Sequence, residues 1–94
     1  MTEPLDVTQN PDGTWSLNSP IAELSSVSRE LWDQLEASEH VVIDRRPAGD
    51  QGQPAVTYIS ITTVTMWLTY QVAQTTEDGY VLQLGSYSDR APTP

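Results

Sequence analysis

Residues 19–45 read SPIAELSSVSRELWDQLEASEHVVIDR, and a change of period within them decides the fold. Up to residue 38 the apolar side chains recur every three or four positions. At 100° per residue, Ile21, Leu24, Val27, Leu31, Trp32 and Leu35 fall within an arc of about 140°, the stripe a helix turns toward a core. Ser19 suits an N-cap and Pro20 suits the first helical position, so the spacing predicts one helix over residues 20–38. From His40 the period becomes two, and residues 40–45 read as a short strand.

Working outward, the flanks are β-like on both sides. In residues 5–18, Leu5 and Val7, then Trp15 and Leu17, alternate with polar residues around Asn10-Pro11-Asp12-Gly13. Pro11 presets φ for a type I turn and Gly13 supplies the left-handed residue after it, which gives a three-residue loop with a bulge. That loop sets Val7 opposite Leu17 and Gln9 opposite Trp15. Residues 46–54 form a polar loop of turn residues. Residues 55–74 lack Gly and Pro, yet a single strand of that length would exceed about 60 Å, so a break is expected near residues 62–63. Beyond it, Val64, Met66, Leu68, Tyr70 and Val72 share one face, and Thr63, Thr65, Trp67, Thr69 and Gln71 the other. Residues 76–79 read as a turn and 80–87 as a last strand. Residues 88–94, with two prolines, read as a flexible tail.

The order ββαββββ implies one α+β domain over residues 1–87: a hairpin, one amphipathic helix and an antiparallel sheet, with the helix packed on one sheet face. Leu24, Leu31 and Leu35 are expected against Met66, Leu68 and Tyr70.

Composition excludes much chemistry. The 94 residues hold 13 Asp plus Glu against four Arg, with no Lys and no Cys, for a net charge of -9. A disulfide framework, a thiolate zinc site and a thiol nucleophile are therefore ruled out. So are a Schiff-base lysine and a phosphate-binding GxxxxGK[ST] loop. Direct nucleic-acid binding needs a basic patch, and so does an anionic membrane surface. No stretch approaches the ~20 apolar residues of a membrane helix. Residues 1–13, MTEPLDVTQNPDG, lack the basic and apolar regions of a signal peptide, so a cytoplasmic location is expected.

No catalytic, cofactor or metal residues are assigned. His40 is the one imidazole, with no G-x-S-x-G elbow to accompany it, and is expected to end the helix or begin the next strand. Arg45 and Arg46 either relieve acidic neighbours such as Asp44 or clamp an anion.

The candidate binding residues are acidic. Glu23, Glu30, Asp33 and Glu36 lie on the polar face of the expected helix, Glu39 at its end, with Arg29 as the one cation among them. Like charges at helical spacing cost a few tenths of a kcal/mol per pair. The arrangement is either a solvated face or a negative rail presented to a basic groove. Residues 1–50 carry ten acids and three Arg, net -7, and residues 51–94 three acids and one Arg, net -2, so the field concentrates in the helix half. Trp67 is the other candidate. Its Thr-rich face is either open, to stack on a sugar or anchor a protein, or covered by the N-terminal hairpin.

The expectation is a small, acidic, non-enzymatic protein that binds, and inhibits, a basic protein or nucleic-acid-binding protein through its acidic helix face. Its composition is shared by many small inhibitors carried by phages and mobile elements. The alternative is a structural or assembly subunit, a homo-oligomer joined through sheet edges and the Trp67 face. Loss of binding with rising salt separates the first from the second.

Overall fold

The computed structural model describes residues 2–89. Chain order is β1 (Glu3–Pro4), β2 (Val7–Gln9), β3 (Trp15–Leu17), β4 (Leu24–Ser28), α1 (Arg29–Glu36), β5 (Val41–Arg46), β6 (Val56–Thr62), β7 (Met66–Thr75) and β8 (Gly79–Asp89). The β2–β3 hairpin has the expected register, with Val7 opposite Leu17 and Gln9 opposite Trp15. Its loop closes through Asn10 N to Thr14 O at 2.7 Å and Gly13 N to Asn10 O at 2.9 Å, with Gly13 at φ +92°. Asp12 Oδ1 accepts from both the Thr14 amide and the Thr14 hydroxyl, which locks the turn.

The helix is shorter than its apolar stripe. It covers eight residues, Arg29–Glu36, rather than 20–38, and Ser28 replaces Ser19 as its cap. Ser28 is extended at φ -69° and ψ 157°, and its Oγ accepts from Leu31 N at 3.1 Å. The residues before it form β4. Serines at 25, 26 and 28 compete for backbone hydrogen bonds and weaken a helix. As a strand, the segment pairs with β8 in register, Ser25 opposite Leu82 and Val27 opposite Tyr80. Val27 is buried in either conformation, but Leu24 is an odd number of residues away, so the strand turns it to the opposite face.

The main sheet has the order β1-β4-β8-β7-β6-β5. All its pairs are antiparallel except β1 with β4, so the sheet is mixed and has more strands than the order ββαββββ allowed. The expected break at 62–63 occurs without Gly or Pro because Thr63 builds the turn. Its amide donates to Met66 O at 2.8 Å, and its Oγ1 both donates to Met66 O and accepts from Met66 N, each at 2.9 Å. At the other end Thr76 N donates to Gly79 O, and Asp78 O accepts from Arg29 N, joining the β7–β8 turn to the start of α1.

One face of this sheet carries the core. Ile59, Ile61, Leu68, Tyr70 and Leu82 are almost fully buried, beneath Trp32 and Leu35 of α1. The Trp32 and Tyr80 rings meet at 4.4 Å between centroids. The hairpin joins the same cluster through Trp15, which is 0% exposed. Trp15 Nε1 donates to Ser38 Oγ at 2.9 Å, and its carbonyl accepts from Val64 N. Of the expected contact set, Leu35, Leu68 and Tyr70 are buried and Leu31 and Met66 are half-buried at the margin of the core, whereas Leu24 lies on the opposite sheet face and is not part of it. Val64 lies in the turn before β7 and is exposed. Ser88 and Asp89 close β8, and the rest of the expected tail, residues 90–94, lies outside the described residues.

Candidate functional site

The face opposite the core is bare across β4, β8, β7, β6 and β5. Register arranges its side chains in rows. One row runs Asp44, Tyr58, Gln71, Gln83 and Leu24. The next runs Val42, Ser60, Thr69 and Ser86, with Ser60 Oγ and Thr69 Oγ1 at 3.4 Å. A third holds Thr62, Trp67 and Ser88. Trp67 is therefore on the face away from α1, as its alternation requires, and it is 48% exposed. The alternative in which the hairpin covers it does not hold: β2 and β3 pack on the helix side, through Trp15. Val42, 64% exposed, is the second large apolar side chain presented here.

Charge on this face cancels. Among the described residues Asp44 and Arg46 are its ionic groups, and they pair at 3.0 Å between Arg46 Nε and Asp44 Oδ2. The Arg46 guanidinium also lies 5.1 Å from the Tyr58 ring centroid. Both members of the ion pair are well exposed, so it contributes little to stability.

The acidic residues lie elsewhere, and the structure divides them. Glu30, Asp33 and Glu36 are exposed on α1. Glu39 follows in the turn before β5. Glu23 leaves the group, because residues 20–23 are not helical; its carbonyl instead accepts from Leu84 N at 2.8 Å, beside β4. In its place stand Glu77 and Asp78, exposed in the turn that bonds to the first residue of α1. Nothing in the linear sequence linked residue 78 to residue 29; that proximity follows from β4 pairing with β8. Among these groups the cations are Arg29 and Arg45, the latter 3.3 Å from Glu36. This layer therefore holds six carboxylates against two guanidiniums.

His40 occupies the turn between α1 and β5, its amide donating to Ser38 Oγ and its carbonyl accepting from Thr62 N. Those are structural bonds. Arg45 and Arg46 each neutralise an acidic neighbour, the simpler of their two readings. The pKa shifts fall away from both surfaces. Asp12 is lowered, first by the Thr14 hydroxyl and then by the Thr14 amide, and Tyr70 is raised by burial while Ser25 hydrogen-bonds it. A cleft of about 420 Å³ lies between Glu3 and Asp6 on one side and Pro20 and Ile21 on the other. Another, of about 440 Å³, is bordered by Ser28, Asp78 and Tyr80. Among the described residues no three Asp, Glu or His side chains are grouped to hold a metal ion. No described helix is long and apolar enough to cross a membrane.

Comparison with known proteins returns no matching family model, no similar curated sequence and no similar solved structure.

Proposed function

We propose that the protein is a non-enzymatic binding protein and that its acidic layer takes a basic macromolecular partner, either a basic protein or a nucleic-acid-binding protein. The observation that carries this reading is the sorting of charge by layer. Among the described residues the open sheet face holds only the paired Asp44 and Arg46, while α1 and its flanking turns gather six carboxylates against two guanidiniums. A low-dielectric body with one acidic side has a directed field, and that field steers a basic partner to the helix side. The helix also breaks a local rule. Glu36 sits in its last turn and Glu39 just beyond, where the negative end of the dipole disfavours carboxylates, and no basic residue occupies that turn. A layer selected for solubility alone has no need of acids in that position. By occupying a groove built for phosphates, the protein would inhibit the partner by exclusion.

The test is capture from the native host on the immobilised chain, compared with E30K/D33K/E36K. The expected result is a basic protein retained at about 50 mM salt, released at moderate salt, and lost with the triple variant. Equal retention by wild type and variant at low salt would reduce the acidic layer to a solubility device. The substitutions should leave the unfolding midpoint nearly unchanged, since all three side chains are exposed.

A further inference from the structure

We propose that the open sheet face docks a second copy of this chain, forming a face-to-face dimer. The site is separate from the acidic layer and stands without it.

Three observations carry the assignment. The first is electrostatic. A second copy brings its own net -9, and on most of the surface two copies would oppose carboxylates. Among the described residues of the open face the Asp44–Arg46 pair leaves no net charge, so two copies meet there without like-charge cost. The same neutrality gives a basic partner nothing to bind. The second is area. Five strands at about 4.8 Å spacing and five residues at about 3.3 Å make a patch of roughly 24 by 17 Å, which with side-chain relief exposes on the order of 600–800 Å². Two such patches bury roughly 1,200–1,600 Å², the size of a specific protein interface. The third is chemical. Trp67 and Val42 are 48% and 64% exposed on rows otherwise made of Ser and Thr. A tryptophan anchor among short hydroxyl side chains is the composition of an interface core with a polar surround. Face-to-face packing about 10 Å apart also turns a sheet covered on one side into a closed sandwich, helix layers outward.

The protein itself supplies the probe. Trp15 and Trp32 are buried and Trp67 is exposed, so Trp67 dominates quenching of the tryptophan emission by iodide or acrylamide. Sedimentation equilibrium up to about 1 mM chain should show the mass rising from 10.4 kDa toward twice that value. Emission should shift to the blue, and quenching should fall, over the same concentration range. Trp67→Arg should weaken the dimer at least about thirtyfold, the loss expected of an anchor residue. Val42→Glu should act in the same direction, by adding an unpaired carboxylate to each of the two docking faces. E30K/D33K/E36K should dimerise like wild type, and salt between about 50 and 500 mM should not weaken the dimer, in contrast to binding at the acidic layer. A 10.4 kDa species at every concentration would overturn the proposal, whether or not some other partner covers Trp67. A dimer unaffected by Trp67→Arg, or abolished by the helix triple variant, would overturn it as well.

Discussion

Trp15→Ala should unfold much of what holds the N-terminal third to the rest. Trp15 is the largest fully buried side chain and the point where the β2–β3 hairpin enters the common core. Its removal deletes an indole from a closed site and with it the bond from Nε1 to Ser38 Oγ. Replacing a buried Trp by Ala costs about 3–5 kcal/mol. A 94-residue domain holds about 5–14 kcal/mol in total, so the loss is between a fifth and nearly all of it. With a urea m-value of about 1–1.5 kcal/mol/M, the midpoint should fall by at least about 2 M while the slope is kept. Near-ultraviolet circular dichroism and far-ultraviolet ellipticity should follow one transition. Ser38→Ala keeps the indole in place but removes the acceptor of both its N–H and the His40 amide, and should cost about 1–3 kcal/mol. A Trp15→Ala midpoint within about 0.5 M of wild type would mean that the hairpin is not part of the cooperative unit, and the single core inferred here would be wrong.

Alkaline unfolding should depend on Tyr70. Burial raises its pKa above that of the unfolded chain, so its contribution is complete below about pH 10 and is lost as pH climbs through the folded value; Tyr70→Phe should flatten the fall of stability with pH above about 10, read by denaturant midpoints. Gly79→Ala should destabilise by about 1–3 kcal/mol, because the added Cβ would run into the Val27 carbonyl across the β4–β8 pair; a neutral result in thermal melts would place β4 farther from β8 than the pairing does.

The parts legible in the sequence are those with local causes. The β2–β3 register followed from turn chemistry at residues 10–14, and the faces of β7 from simple alternation. Thr63 was legible in position only. A break was required by length, but a threonine that uses its hydroxyl as both donor and acceptor to fold a turn carries no Gly or Pro signal. The start of α1 was misplaced by nine residues for a physical reason. Ile21, Leu24 and Val27 satisfy a helical stripe, and Val27 equally satisfies a strand, so periodicity alone cannot choose. The choice is made at a distance, by β8, whose first half would otherwise be an edge with unpaired backbone groups. The serines at 25, 26 and 28 were the local hint, since their side chains favour caps and extended backbone over helix interior. β1 had no local signal at all: two residues, one of them proline, are held by parallel pairing with β4 and by Leu5 N donating to Ser26 O at 2.9 Å.

That one ambiguity, helix or strand over Leu24–Ser28, also decides which surfaces exist. As helix, the segment would carry Glu23 onto a long acidic rail and leave β8 as the sheet edge, with a narrower bare face beside it. As strand, it removes Glu23 from the rail, shortens α1 to little more than two turns, and brings Asp78 to the helix start. It also adds a fifth strand to the open face, behind Trp67 and Val42. The acidic layer thus becomes a patch assembled from three chain segments rather than one helix, so its charge depends on the fold being intact. An isolated peptide of residues 20–39 would keep the carboxylates but lose Glu77 and Asp78, together with the rigid backing that holds the charges at fixed spacing. On the proposed function, recognition would therefore require the folded domain, because the sheet that places the charges is the same sheet whose other side carries only the paired Asp44 and Arg46 among the described residues.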